Sequence, residues 1–106
     1  MRILRFNVEK QRITNDKDCD FSGIVAKSVG YLHAKFHFSE EWDIYTIKIA
    51  RFWNNGNEYS VILDSNNECE IPFEALTNEI FRVSVMGVAQ PFRIETNKTK
   101  VRQEVI

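Results

Sequence analysis

Two histidines and two cysteines are the side chains here best suited to holding a transition metal: His33, His37, Cys19 and Cys69. Zinc binds imidazole nitrogen and thiolate sulfur at about 2.0–2.3 Å in a tetrahedral set. Both histidines lie in Tyr31 to Phe38, where apolar and polar residues alternate as in a half-buried β-strand. Residues four apart on an extended strand are about 13 Å apart, too far for two imidazoles to share one ion. Cys19 and Cys69 also lack the close paired spacing of a structural zinc site. The sequence therefore predicts no metal site, with solvent-facing histidines and two small thiols instead. The thiols are expected free, because nothing resembling an export signal points to an oxidising compartment.

Other chemistries meet similar obstacles. A nucleophilic serine or cysteine needs a base and an orienting carboxylate, and neither a G-x-S-x-G elbow nor a cysteine-centred signature occurs. Asp43, Asp64, Glu68, Glu70 and Glu74 supply carboxylates, but most fall in expected turns or on polar strand faces, where solvated acids are ordinary. Four glycines, none in a phosphate-cradling loop, give no basis for nucleotide binding. No catalytic residue and no cofactor are expected, so the chain is read as a non-enzyme. The remaining candidates are aromatic: Tyr31 on the polar face of its strand, Trp53 beside a hairpin turn, and Tyr45. Such rings stack on sugars or anchor protein interfaces.

Short strands must position these residues. Leu4, Phe6 and Val8 share one parity, with Arg5, Asn7 and Glu9 on the other, and Thr14 to Asp20 reads as a loop. Leu32, Ala34, Phe36 and Phe38 form the core face of the clearest strand. Ser39 to Asp43 then reads as a brief helical turn, with Ser39 as its cap and Trp42 plugging the core beside Phe38. Between Ile44 and Trp53 the apolar set changes parity, which suggests a β-bulge near Ile49 or Ala50.

Asn54-Asn55-Gly56-Asn57 is a hairpin turn, and Tyr59, Val61 and Leu63 return from it. Asp64 to Asn67 turns again into a short strand through Cys69 and Ile71. Pro72 ends that strand and opens a helical turn over Phe73 to Leu76 as its first residue. Phe81, Val83 and Val85 alternate, Gly87 to Pro91 reads as a turn, and Phe92 to Glu95 pairs back. Val101, Gln103 and Val105 form the last strand. About eight strands with turn signals every 8 to 12 residues fit a sandwich or barrel.

The chain has 106 residues, which suits one domain spanning 1–106. Apolar residues make up 43% of it, enough for a core. Fourteen Lys and Arg against fifteen Asp and Glu leave a net charge of -1, far from the basic field that nucleic acid demands. So small a net charge also favours self-association or assembly with a partner. Met1 to Lys10 alternates charged with apolar residues, unlike a signal peptide, and no run reaches membrane-spanning length, so the product is expected to stay inside its cell, off the membrane. Asn97-Lys98-Thr99 matches a glycosylation sequon by chance on this reading.

The run Gly30-Tyr31-Leu32-His33-Ala34-Lys35-Phe36-His37-Phe38-Ser39-Glu40-Glu41-Trp42-Asp43 resembles a small family of proteins from phages and prophages of Gram-positive bacteria. Tyr59 to Leu76, Phe81 to Val88 and Arg93 to Lys98 extend the resemblance over most of the chain. It implies an all-β, immunoglobulin-like antiparallel sandwich with one or two short helical turns, similar to the N-terminal domain of upper-baseplate and tail-fibre proteins. It also implies structural work in a tail, with other tail or baseplate proteins as partners, a homo-oligomer among the arrangements, and passage from the bacterial cytoplasm to the virion tail. The alternative expectation is a carbohydrate-binding module recognising bacterial surface glycans through Tyr31, Tyr45 or Trp53.

Overall fold

Leu4, Phe6 and Val8 lie on β1 (Arg2–Glu9) of the computed structural model, which describes residues 1–106. A tight turn at Lys10 and Gln11, with Lys10 at φ 53, folds β2 (Arg12–Asn15) antiparallel onto it. On its other side β1 runs parallel to β3 (Leu32–Phe38), with Leu4 beside Ala34 and Phe6 beside Phe36. Parallel neighbours cannot be joined by a hairpin. The segment 16–31 therefore carries the chain back to the head of β1. It is pinned there by Arg2 N–H to Tyr31 O (2.8 Å) and by Arg2 Nη2 to the carbonyls of Asp20 (2.8 Å) and Ser22 (2.6 Å). β6 (Glu68–Glu70) completes the first sheet, in the order β2-β1-β3-β6.

The second sheet is centred on β4 (Ile47–Asn54) and β7 (Ile80–Ala89). β5 (Asn57–Ile62) flanks β4. The far side of β7 is shared by β8 (Phe92–Glu95) along one half and β9 (Thr99–Arg102) along the other. Asn55 at φ 55 and Gly56 at φ 84 make the β4–β5 hairpin turn, the left-handed pair that a two-residue loop requires.

The two sheets face each other across one core, in which Leu4, Phe6, Val8, Ile13, Leu32, Ala34 and Phe36 meet Ala50, Phe52, Phe81, Val83, Val85 and Val101. This is the all-β sandwich expected from the sequence, with two single 3-10 turns, Glu40–Trp42 and Phe73–Leu76. Trp42 is wholly buried. Its ring lies 5.0 Å from Phe38 and 5.7 Å from Tyr45, and its Nε1–H donates to Lys10 O at 2.9 Å. Buried Asn54 fixes the second 3-10 turn, donating to Glu74 O (3.0 Å) and Thr77 Oγ1 (2.9 Å) and accepting from Asn78 Nδ2 (2.8 Å). Both its side-chain polar atoms find partners inside the protein, as burial demands. No helix is long and apolar enough to cross a membrane.

Several local expectations are corrected. β4 keeps unbroken register with β5 and β7, so there is no bulge near Ile49 or Ala50: Ala50 and Phe52 face the core while Ile47 and Ile49 face out. The apolar parity change records a strand with apolar residues on both faces. Thr14 and Asn15 belong to β2, so the loop begins at Asp16 and there are nine strands. Gly87 lies inside β7, with the turn displaced to Gln90 and Pro91, because only a residue without a Cβ fits against Trp42. Ser39 occupies the cap position without capping; its hydroxyl donates to Glu41 Oε1 (3.1 Å). Pro72 precedes the second 3-10 turn in extended geometry (ψ 134) rather than starting it. Gln103 and Val105 lie beyond β9. Cys19 and Cys69 are free thiols.

Two outcomes test this packing. A Cβ on Gly87 would lie 2.9 Å from Trp42 Cζ3 and from Cβ and Cγ of Tyr45, so Gly87→Ala should destabilise by about 1–3 kcal/mol in urea unfolding. The Cys69 thiol is pushed up to about 12 by burial, then by the charges of Asp64 and Glu70. The folded state therefore keeps a proton that the unfolded thiol releases near pH 9, and stability should fall as pH rises from about 9 to 12. Cys69→Ala should flatten that part of a pH–stability profile.

Candidate interaction surface

The outward face of the second sheet divides into two fields. At the end nearer the β7–β8 turn, Ile47, Ile49 and Ile62 adjoin Met86 and Val88: Ile49 pairs with Ile62 on one side and Met86 on the other, and Ile47 pairs with Val88. Ile62 is 68% exposed and Ile47 46%. Five apolar side chains at paired or alternate positions on one face of three strands form an apolar patch, the kind of surface that marks interaction sites.

Beside the patch lies a polar lattice. Arg51 on β4 donates from Nε to Glu58 on β5 (2.7 Å) and from Nη1 to Glu95 on β8, which also accepts from Arg93. These contacts shift all three groups. The Arg51 guanidinium, aided by Ser60, holds the Glu58 carboxyl below the usual carboxylate range. Arg93 and then Arg51 do the same for Glu95, and the hydrogen bond to Glu58 raises Arg51. An apolar centre with a charged, mutually satisfied border is the anatomy of many protein interfaces.

The sandwich also has one closed side and one open side. Along the closed side, Asn97 clamps Ile13 through both its amide atoms (2.7 and 3.3 Å), Asn15 Nδ2 donates to Lys100 O (3.0 Å), and Thr99 Oγ1 donates to Asn15 Oδ1 (2.8 Å). These side chains lace the edge of the first sheet to the second. The sequon residue Asn97 thus has a structural task.

On the open side β5 pairs only with β4. Antiparallel alternation from the Asn54–Asn57 pair directs the main-chain groups of Asn57, Tyr59 and Val61 to β4. Those of Glu58, Ser60 and Ile62 point outward. Tyr59, Val61 and Leu63 face the core yet stay only partly buried.

The three aromatic candidates do not converge. Trp53 lies half-buried on the polar lattice, its Nε1–H donating to Ser84 Oγ (2.9 Å). Lys98 Nζ sits 3.7 Å from its ring centroid and the Arg51 guanidinium 5.1 Å, so cations of the protein itself take up the ring. Tyr45 packs half-buried on Trp42 and Gly87, near the opposite end of β4 from Trp53. Tyr31, 50% exposed, stands at the head of β3 on the rim of a hollow of about 430 Å³ lined also by Arg2, Lys27 and Ser28.

The metal-ligand residues are likewise dispersed. His33 and His37 occupy the outer face of β3, Cys69 pairs with Ala34 on the core side, and Cys19 Sγ accepts from Arg5 N–H (3.4 Å). No three His, Cys, Asp or Glu side chains gather where they could hold an ion. Asp64 is spent on its turn, accepting from the N–H groups of Asn66 (2.8 Å) and Glu68 (3.0 Å).

Sequence reasoning missed the apolar patch and the Arg51 lattice. The signal was present in the odd-numbered series Ile47, Ile49, Arg51 and Trp53, which alternates cleanly once no bulge is assumed. Comparison with known proteins found no matching family model, no similar curated protein and no similar solved structure.

The lattice makes a prediction of its own. Removing Arg51 as Arg51→Leu should raise the titration midpoints of both Glu58 and Glu95, followed by carboxyl-carbon NMR. Glu58 should move further, because Arg93 still holds Glu95. Stability gained from these carboxylates is present above the ordinary carboxylate range and lost as pH falls through their lowered values. The variant should therefore lose less stability on acidification than the parent.

Proposed function

We propose that this chain is a non-enzymatic assembly module of a phage or prophage tail, working by protein–protein contact at a baseplate or tail-fibre attachment. One observation carries the contact reading: the free β5 edge, with the main chain of Glu58, Ser60 and Ile62 directed outward, is continuous with the apolar patch of Ile47, Ile49, Ile62, Met86 and Val88. An extended segment of a partner that adds a strand to β5 gains main-chain hydrogen bonds, covers Ile62 and completes the burial of Tyr59 and Val61. Edge pairing of this kind is ordinarily prevented by charge, proline or cover. Of these β5 has only Glu58, and that carboxylate is already held by Arg51.

The tail context comes from the resemblance of the Gly30–Asp43 and Tyr59–Leu76 segments to phage proteins, and with it the passage from the bacterial cytoplasm into the particle. Glycan recognition is the weaker reading. It keeps Tyr31, whereas the ring of Trp53 is engaged by Lys98 and that of Tyr45 packs on Trp42.

The test is retention on purified tail particles. The parent chain should co-sediment with them. Ile62→Lys combined with Ile47→Lys should cut retention by about tenfold or more while leaving the melting temperature nearly unchanged, because both positions face solvent in the free chain. Equal retention of parent and variant, or failure of the parent to bind any particle, refutes the proposal.

A further inference from the structure

The largest hollow of the molecule lies at the other end of the sandwich, where residues 23–28 and Tyr31 arch over the heads of β1 and β3. Its wall is held on both flanks by main chain. Ala26 N–H donates to Glu104 O (2.8 Å), Glu104 N–H to Ile24 O (2.7 Å), and Lys27 N–H to Leu76 O (2.7 Å). The hollow is therefore built into the fold. Lys27 adopts φ 76, a left-handed conformation that a lysine takes only at a cost, and one often met at ligand sites.

The polar groups around it share one electrostatic character. Lys27 has no ion-pair partner, and Arg2 forms none either: its Nη2 serves the Asp20 and Ser22 carbonyls, which leaves Nε and Nη1 without protein acceptors. The Asp20 carboxylate, close to Arg2 in the chain fold, is occupied with the N–H and hydroxyl of Ser22, and no carboxylate lines the hollow. Ser28 Oγ is covered by protein and bonded to nothing, a rarity among buried hydroxyls. Between these groups lie the half-exposed ring of Tyr31 and the exposed side chain of Val25, with the buried Ile24 and Leu32 also in the lining.

We propose that this hollow binds a carboxylate carried on a small apolar body. The carboxylate oxygens meet the Lys27 ammonium and the free donors of Arg2, and Ser28, turned about its Cα–Cβ bond, donates its hydroxyl to one of them. The apolar body lies against Tyr31 and Val25. The volume, about 430 Å³, falls in the range of small-ligand sites. Such a carboxylate comes either from a free small acid or from the last residue of another chain. The inference is independent of the tail-assembly reading, since no residue of the β5 surface takes part.

The experiment is an NMR titration of the isotope-labelled full chain with N-acetyl-leucine, with N-acetyl-leucinamide as the uncharged control. Saturable shifts confined to residues 23–32 and Arg2, with a dissociation constant on the order of 1 mM, are expected for the acid and not for the amide. Lys27→Ala should weaken binding about tenfold. Ser28→Ala should weaken it severalfold while leaving the melting temperature equal or higher, because it removes an unpaired buried hydroxyl. A merely structural serine would instead lose stability on substitution. A decapeptide ending in a free leucine carboxylate that binds more tightly than N-acetyl-leucine assigns the site to a chain terminus; equal affinity assigns it to a free acid. Equal binding of acid and amide, affinity unchanged in both variants, or no saturable shift overturns the proposal.

Discussion

The burial of the Trp42 indole is the constraint on which the rest of the sandwich depends. A single side chain touches the β1–β2 turn through Lys10 O, β3 through Phe38, the chain entering β4 through Tyr45, and β7 through the bare backbone of Gly87. Those contacts join both sheets at one end of the molecule, where the main chain changes sheet between β3 and β4. A ring of this size buries a large apolar area only if its N–H also finds a partner, and the carbonyl of Lys10 supplies it. The absent side chain at Gly87 follows from the same requirement, because the backbone there must make room for the indole.

With the sheets joined there, the sides of the sandwich are free to differ, and they do. Amide side chains close the side between β2 and β9, so the main-chain groups of Ile13 have partners and that edge is shielded. The side at β5 has no such lacing. Its inward residues are incompletely covered, and its outward face continues into aliphatic surface. The two edges therefore differ in accessibility: the outward main-chain groups of β5 have no strand partner, whereas those of Ile13 on β2 are held by the Asn97 clamp. The Arg51–Glu58–Glu95–Arg93 lattice stiffens the same face at its border without adding net charge to it.

Much of the fold was legible because each sheet has a distinct inner face. Leu4-Phe6-Val8, Leu32-Ala34-Phe36-Phe38 and Phe81-Val83-Val85 announce themselves through strict alternation, and all lie where that alternation puts them. The Asn-Gly hairpin is equally plain, since few residues other than Asn and Gly accept positive φ. Alternation failed as a guide where both faces carry apolar residues. In β4 the outward isoleucines mimicked a change of phase, and what looked like a bulge was an unbroken strand with apolar residues on both faces. Gly87 misled for a related reason: a glycine demanded by close packing has the same letter as one demanded by a turn. The candidate aromatics were the least legible, because whether a ring is free depends on what lies over it, and Lys98 comes to Trp53 from another strand connection entirely.

What the sequence determined by itself is everything that follows from local rhythm and local stereochemistry. That includes the strand-rich class, the single core, the positions of most turns, the burial of Trp42, and histidines too far apart along one strand to share an ion. Tertiary structure alone decided the parallel pairing of β1 with β3, the division into sheets of four and five strands, the closed and open edges, the gathering of Arg2, Lys27, Ser28 and Tyr31 around one hollow, and the fate of each exposed ring. The physical reason is range. Dihedral preferences and period-two burial act between neighbours in the chain, whereas pairing, covering and charge compensation act between groups that only the completed fold brings together.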